Sequence, residues 1–264
     1  MRTTLASARR GATSLGVTRP SSRALLPSLH ERFRRCIHDR DAVATVSAPL
    51  EIDSLPQLVH RLALLLDRPE RVILGIAGAP GAGKSTLAES LLARLRADLG
   101  PDAVGHLPMD GFHLADVQLD RLGRRERKGA PDTFDVDGYV AALERLHERP
   151  DQTLFIPGFE RELEQPVAAA LAIPPSARLV VTEGNYLLLP DGGWERVRPL
   201  LAEVWFVAVD DDVRRQRLVR RHEEFGKSPA DARAWVERSD EANARLVAST
   251  RGAADVVVRV PLAG

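Results

Sequence analysis

The sequence predicts an α/β fold: a three-layer sandwich with a mostly parallel sheet, helices on both faces and a helical lid. Three observations predict it. An apolar run, Val72–Ile76, is followed by the glycine-rich stretch Gly78–Ser85 and then by a helical pattern, Ser85–Leu99, with Leu87, Leu91, Leu92 and Leu95 on one stripe. Short apolar runs then alternate with helical patterns along the rest of the chain, which argues for parallel strands wrapped by helices. Finally, the segments densest in charge and glycine fall directly after apolar runs, and open parallel sheets bind ligands at the carboxyl ends of their strands.

The elements follow in order. The folded part starts near Ile52, which gives a domain over residues 51–264. Ser54 is placed to cap a helix whose apolar residues are Leu55, Leu58, Val59, Leu62, Leu65 and Leu66. A second strand ends at Leu107–Met109. Gly111–Gly138, rich in charge and turn-forming residues, reads as an excursion around a site. Val136–His147 reads as a helix and Thr153–Pro157 as a short strand, while Leu163–Ile173 fits more than one pattern. Leu179–Thr182 and Val204–Val209 are apolar strands. Asp211–Phe225 and Pro229–Val247 read as helices, the second with Ser228 as cap and Pro229 in its first turn. Val256–Val260 closes the pattern as a strand.

Composition narrows the class. The 264 residues carry 37 basic and 37 acidic side chains, so bulk charge gives no footprint for nucleic acid. No apolar run reaches the ~18 residues that span a bilayer, which gives no membrane partner. A single cysteine, Cys36, permits no internal disulfide and no cysteine-based zinc site, and it fits a reducing cytoplasm. Residues 1–50 differ from the rest: the first acidic residue is Glu31, while five arginines precede it amid Ser, Thr and Ala. This Arg-rich N-terminal extension is expected to be disordered and dispensable for catalysis. A disordered arm, a targeting segment and a start of translation set too early all fit its composition. Lysine occurs only at Lys84, Lys128 and Lys227, in a chain whose other basic residues are arginine.

The chemistry starts at Gly78-Ala79-Pro80-Gly81-Ala82-Gly83-Lys84-Ser85, followed by Thr86. This is the phosphate-binding P-loop pattern in its proper strand–loop–helix context. Glycines let successive N–H groups wrap a phosphate, and the helix starting at Lys84 adds its positive end. Lys84 reaches the β- and γ-phosphates, and the Ser85 hydroxyl serves Mg²⁺. After the second strand, Asp110-Gly111 places a carboxylate beside the loop, as base or orienting acceptor for a substrate hydroxyl; an Asx-turn role is the competing reading. After the third, Glu183-Gly184 places an acid that helps position Mg²⁺ or serves a structural hydrogen bond. Between them, Arg127-Lys128-Gly129-Ala130-Pro131-Asp132-Thr133-Phe134-Asp135 is dense enough in charge to bind a polar substrate, and His113 lies near the site in sequence. On the helix Asp211–Phe225, Arg217 and Arg221 are placed to act as a lid on the transferring phosphoryl group.

Together these motifs resemble the P-loop kinases that include pantothenate kinase, uridine kinase and phosphoribulokinase, from about Arg71 to near the C-terminus. Asp110-Gly111-Phe112 is similar to the pantothenate kinase D-G-F segment, and Arg127-Lys128-Gly129-x-Pro131-x-x-Phe134-Asp135 to its R-K-G-x-P-x-x-Y-D. Glu183-Gly184 matches the family's E-G pair, and Arg217-Leu218-x-Arg220-Arg221 looks like the uridine kinase lid. Two segments depart from characterised pantothenate kinases. One is Asn185-Tyr186-Leu187-Leu188-Leu189; the other is Pro157–Glu162, which stands where those enzymes carry a histidine-containing segment. The pattern as a whole resembles a bacterial nucleoside/nucleotide kinase-like subgroup, for which a sugar kinase has also been proposed.

The resemblance implies ATP and Mg²⁺ as cofactors and a small polar metabolite with a hydroxyl as acceptor. That acceptor is nucleoside-like, with pantothenate or a ketohexose as alternatives. Catalysis falls to Lys84, Asp110, Arg217 and Arg221, metal binding to Ser85 and Glu183. Substrate contacts fall to Asp110, His113, Arg127, Lys128, Asp135, Glu160, Arg161 and Tyr186. A partner-dependent ATPase and a non-catalytic ATP-binding module are the rivals from other classes, and a homodimer is compatible with the sequence.

Overall fold

In the computed structural model, residues 48–259 are described, and the expected N-terminal extension lies outside them apart from its last three residues. Every residue of strand β2 (Val72–Ala77) is buried. Its side chains alternate between two cores, as the two-residue period of a strand requires. Val72, Leu74 and Ile76 join Leu58, Leu62, Leu87, Leu91 and Leu95. Ile73 and Ala77 face the opposite way, with Tyr139, Leu143 and Leu187. A strand buried on both faces must have helices on both, which is the expected three-layer arrangement.

The sheet has six strands, β1 (Leu50–Ile52), β2, β3 (Val104–Pro108), β6 (Leu179–Gly184), β7 (Glu203–Val207) and β8 (Val256–Val258), in the order β1-β8-β7-β2-β6-β3. All of its pairings are parallel. Helices α1 (Leu55–Leu66) and α2 (Lys84–Leu99) cover one face, and α4 (Val136–Glu148) covers the other. The short helix α3 (Asp116–Arg121) lies in the excursion after β3. Helices α5 (Asp211–Glu224), α6 (Pro229–Trp235) and α7 (Glu241–Ser249) complete the chain before β8.

Four details differ from the sequence reading. Leu163–Ile173 belongs with β5 (Gln165–Ile173), which pairs antiparallel with β4 (Leu154–Glu160) in a two-stranded hairpin apart from the main sheet. The run read as one helix over Pro229–Val247 is broken by a π-helical turn, Val236–Asp240. Ser54 holds the N-cap position with extended backbone but makes no side-chain cap bond, whereas Ser228 caps α6 by accepting from the Asp231 N–H. The last strand ends at Val258, and Val260 lies outside the described residues.

Arg71 ties these layers together at the amino ends of the strands. Its guanidinium donates to the carbonyls of Ala177 (2.9 Å), Leu146 (3.2 Å), Pro150 (2.9 Å) and Pro175 (3.0 Å). It thereby joins the end of α4 to the turn before β6. Only a planar fork of five donors can serve so many acceptors at once. Replacing it, in Arg71→Met, is expected to lower unfolding free energy by about 2–3 kcal/mol in urea titrations. Arg71→Lys should recover less than half of that loss.

Candidate active site

Strand register assembles the site. β6 lies between β2 and β3, with Ala77 opposite Gly184 and Pro108 opposite Glu183. The chain leaving β2 is the P-loop, and the chain leaving β3 reaches Asp110 two residues later. The loop, Glu183 and Asp110 therefore meet at one edge. Two glycines allow the close approach. A Cβ on Gly184 would stand 2.6 Å from Met109 Cβ, and a Cβ on Gly111 would stand 2.2 Å from the Pro157 carbonyl oxygen. The D-G and E-G pairs thus each join a carboxylate to a residue with no room for a side chain.

The P-loop turns through positive φ at Gly81 (77°) and Gly83 (93°), a region that favours glycine. Helix α5 lies on the loop: a Cβ at Gly81 would stand 2.9 Å from the Arg214 carbonyl oxygen. Lys84 is buried, and its ammonium donates to the Ala79 carbonyl (3.1 Å) and to Asn185 Oδ1 (2.7 Å). Burial lowers its pKa, opposed by the charges of Glu183 and Asp110.

Three cavities meet at Ser85. One of about 500 Å³ lies over the P-loop, lined by Gly81, Lys84, Thr86, Arg161, Arg217 and Arg221 among others. A second, of about 380 Å³, lies under the hairpin, between Glu89, His106, Asp110, Phe159, Glu160 and Glu183. A smaller one of about 150 Å³ joins Lys84, Asp110 and Glu183 to His113, Lys128 and Arg221. Asp110 and Glu183 line the last two.

Glu183 is 5% exposed. Burial and the nearby Asp110 carboxylate push its pKa up to about 7, against the pull of Lys84, Arg161 and the neighbouring Ser85 hydroxyl. This pair of hard oxygen donors fits Mg²⁺, which takes a hydroxyl and a carboxylate together with waters and phosphate oxygens. A buried carboxylate whose proton is held up to neutrality is a group that a divalent cation would discharge. Among the described residues no cluster of three or more His, Cys, Asp or Glu could cage a metal unaided. A cation at Ser85 and Glu183 would therefore complete its shell from the nucleotide.

Several expected substrate residues stand elsewhere. Tyr186 is fully buried and donates its hydroxyl to the Gly129 carbonyl oxygen, packed against Phe134 and Trp194. It supports the Arg127–Asp135 segment from behind and does not line the three cavities. Arg127 turns outward to pair with Asp132 at 2.7 Å. Asp135 is the N-cap of α4 and accepts from the Gly138 N–H at 2.9 Å. In each case a nearer partner inside the protein claims the side chain.

Lys128 reaches the small cavity and also holds the hairpin, donating to Asp116 Oδ1 (2.8 Å) and to the Glu164 carbonyl (2.5 Å). His113 stacks near Phe134 and Phe159, and its Nδ1 lies 2.8 Å from the Asp110 carbonyl oxygen. Burial lowers the His113 pKa, against the pull of the Asp110 carboxylate, and so favours the neutral ring. Sequence reasoning missed Asn185, Glu89, His106 and Asn243. Asn185 directly follows the E-G pair, a signal that could have found it. Asn243 comes from α7 and carries no local signal.

No family model matches the chain. Individual relatives do. A Schizosaccharomyces pombe protein named "putative uridine kinase" is 32% identical over 220 residues, 81% of this chain and 93% of its own length. The protein YggC of Escherichia coli K12 is 32% identical over 205 residues, 77% of this chain and 84% of its own. The crystal structure titled "putative fructose transport system kinase", from Silicibacter sp. TM1040, superposes with a TM-score of 0.71 at 34% identity, over 77% of this chain and 98% of that one. The chain belongs to the P-loop kinases related to the uridine and nucleotide kinase-like proteins. As a member of that family it is an ATP-dependent phosphotransferase.

The electrostatics of Glu183 generate a prediction. Its folded pKa of about 7 exceeds its ordinary 4.5. Its contribution is then most favourable below pH 4.5 and is lost as pH rises through about 7. Without metal or nucleotide, Glu183→Gln is expected to melt at a higher temperature than wild type at pH 8. The difference should vanish near pH 4.5, as read by calorimetry across that range.

Proposed function

We propose that the chain transfers the γ-phosphoryl group of ATP to a hydroxyl of an uncharged, polyhydroxylated small molecule, a nucleoside or a sugar. One observation carries this reading: Asp110 and Glu183 meet beside Lys84 and Ser85, where the P-loop cavity opens into the hairpin cavity. The hairpin cavity presents Glu89, Asp110, Glu160 and Glu183 against the single guanidinium of Arg161. An acceptor carboxylate would be repelled there, which disfavours pantothenate. Hydroxyl groups would find acceptors, and Phe159, Val167 and Leu171 offer an apolar wall to a ring or carbon chain. Two relatives are named for uridine and for fructose, both uncharged polyols.

The residues divide the work. Backbone N–H groups of Gly78–Thr86 and the Lys84 ammonium hold the β- and γ-phosphates. Ser85 and Glu183 would hold Mg²⁺, which would supply positive charge to offset that of the phosphates. Asp110 accepts the proton of the attacking hydroxyl while its oxygen bonds to the γ-phosphorus. The bond from that phosphorus to the β–γ bridging oxygen breaks, ADP leaves, and the proton passes to solvent. Arg217 and Arg221, on the lid helix, neutralise the charge in transfer and exclude water. Lys128 and His113 position the acceptor.

Among the described residues no helix is long and apolar enough to cross a membrane. A cytoplasmic reaction follows from this reading, since ATP is spent there. A partner-driven ATPase or a silent nucleotide-binding module leaves the hairpin cavity and Asp110 without a use.

ADP release measured across ribonucleosides, ketohexoses, pantothenate and glycerate separates these readings. Release that depends on an uncharged acceptor is expected; acceptor-independent hydrolysis, or no release at all, would overturn the proposal. With the active acceptor, Asp110→Asn should lower kcat by about 10²–10⁴ while ATP affinity stays near wild type.

A further inference from the structure

We infer that Arg161, carried by the hairpin and not by the lid, is a catalytic residue that grips the γ-phosphoryl group of the donor from the acceptor side. The inference rests on the donor half of the reading above and gives that site a component from a second structural unit.

Position comes first. Arg161 begins the turn after Glu160, whose pairing with Gln165 closes the hairpin. That turn is fastened from outside. The Lys128 ammonium donates to the Glu164 carbonyl and to Asp116, and the Asp116 N–H donates to Gln165 Oε1 at 3.1 Å. The backbone bearing Arg161 is therefore tied to the excursion that carries Asp110. From there the side chain reaches the boundary between two cavities. Arg161, Ser85 and Glu89 line both the 500 Å³ space over the P-loop and the 380 Å³ space under the hairpin. A transferring phosphoryl group has to cross that boundary, starting beside Ser85.

Charge comes second. Arg161 forms no salt bridge or side-chain hydrogen bond with a described residue, and its charge acts on the Glu183 carboxylate. The Arg221 guanidinium, which lines the P-loop cavity from the lid helix, likewise has no ion pair there. The two act on each other as like charges: Arg161 helps push the Arg221 pKa below the usual guanidinium range, after the effect of burial. Other lid arginines have carboxylate partners, Arg220 with Glu224 and Arg214 with Glu241. Two guanidiniums that act on each other and line one cavity over a phosphate-binding loop form a site for a multiply charged anion, whose charge adds to the pull of the nearby Glu183. The terminal phosphate of a nucleoside triphosphate carries the charge that would satisfy both, and a diphosphate lacks that group.

Calorimetric titration with Mg-ATP and Mg-ADP, without acceptor, tests this on wild type, Arg161→Gln and Arg161→Lys. Melting temperatures confirm that each variant is folded, as expected for an exposed side chain. Arg161→Gln should weaken Mg-ATP by about tenfold or more, a single charge-assisted contact, and leave Mg-ADP within about twofold. Arg161→Lys should fall between, since an ammonium keeps the charge and loses the fork. In turnover, kcat of Arg161→Gln should drop by ~10³ with a smaller change in acceptor KM. Equal weakening of both nucleotides, no weakening of either, or a change confined to acceptor KM would overturn the inference and leave the proposed function standing. Wild-type protein that binds neither nucleotide would overturn both.

Discussion

The site depends on one constraint, the parallel register that sets β6 between β2 and β3. Hydrogen bonding between neighbouring strands places Ala77 opposite Gly184 and Pro108 opposite Glu183. Everything chemical is then appended to strand ends already side by side: phosphate-binding backbone on one, an acid on each of the others. A slip of one residue in β6 would send Glu183 to the opposite face of the sheet. The burial of alternate side chains in two separate cores makes such a slip costly.

Around this edge the protein concentrates unlike charges under low exposure. Lys84 and Glu183 are both buried and oppose one another's desolvation. Asp110 acts on both, strengthening the lysine's charge and weakening the glutamate's. In the proposed reading a cation and phosphates complete the arrangement, because one ammonium faces two carboxylates within the sheet edge and the guanidiniums of Arg221 and Arg161 act on Glu183 from α5 and the hairpin. Binding of the donor brings charges of both signs, so it resolves both imbalances together. This differs from a stability device, in which partners would be matched within the protein.

How much of this was legible in the sequence depended on the range of the interaction. The P-loop, the buried strands and the helices α1, α2, α4 and α5 follow local periodicity, and they stand within a few residues of the expected limits. Asp110 and Glu183 were singled out because each stands at the carboxyl end of an apolar run. The hairpin was only half read: Val167-Ala168-Ala169-Ala170-Leu171 has neither clear alternation nor a helical stripe, and only pairing with β4 decides it. Tyr186, Arg127 and Asp135 were expected at the substrate because aromatic and charged residues cluster near a site. Their partners, Gly129, Asp132 and Gly138, settle their positions instead. Only Gly129 among these lies far from its partner in sequence, which is why Tyr186 was the hardest of the three to place.

The π-helical turn at Val236–Asp240 has a mechanical consequence. In a regular α-helix, neighbouring residues point about 100° apart. Here Asp240 meets His222 at 2.9 Å and the next residue, Glu241, pairs with Arg214, both on α5. Those contacts lie two turns apart along the lid helix, near its start and its end. Two consecutive acids, the last of the widened turn and the first after it, thus form a two-point mount. Beyond the second point the chain turns at Gly226, with φ of 92°. The lid helix is braced along its length like a beam on two bearings, and the arginines that project between them, Arg217 and Arg221, inherit that alignment.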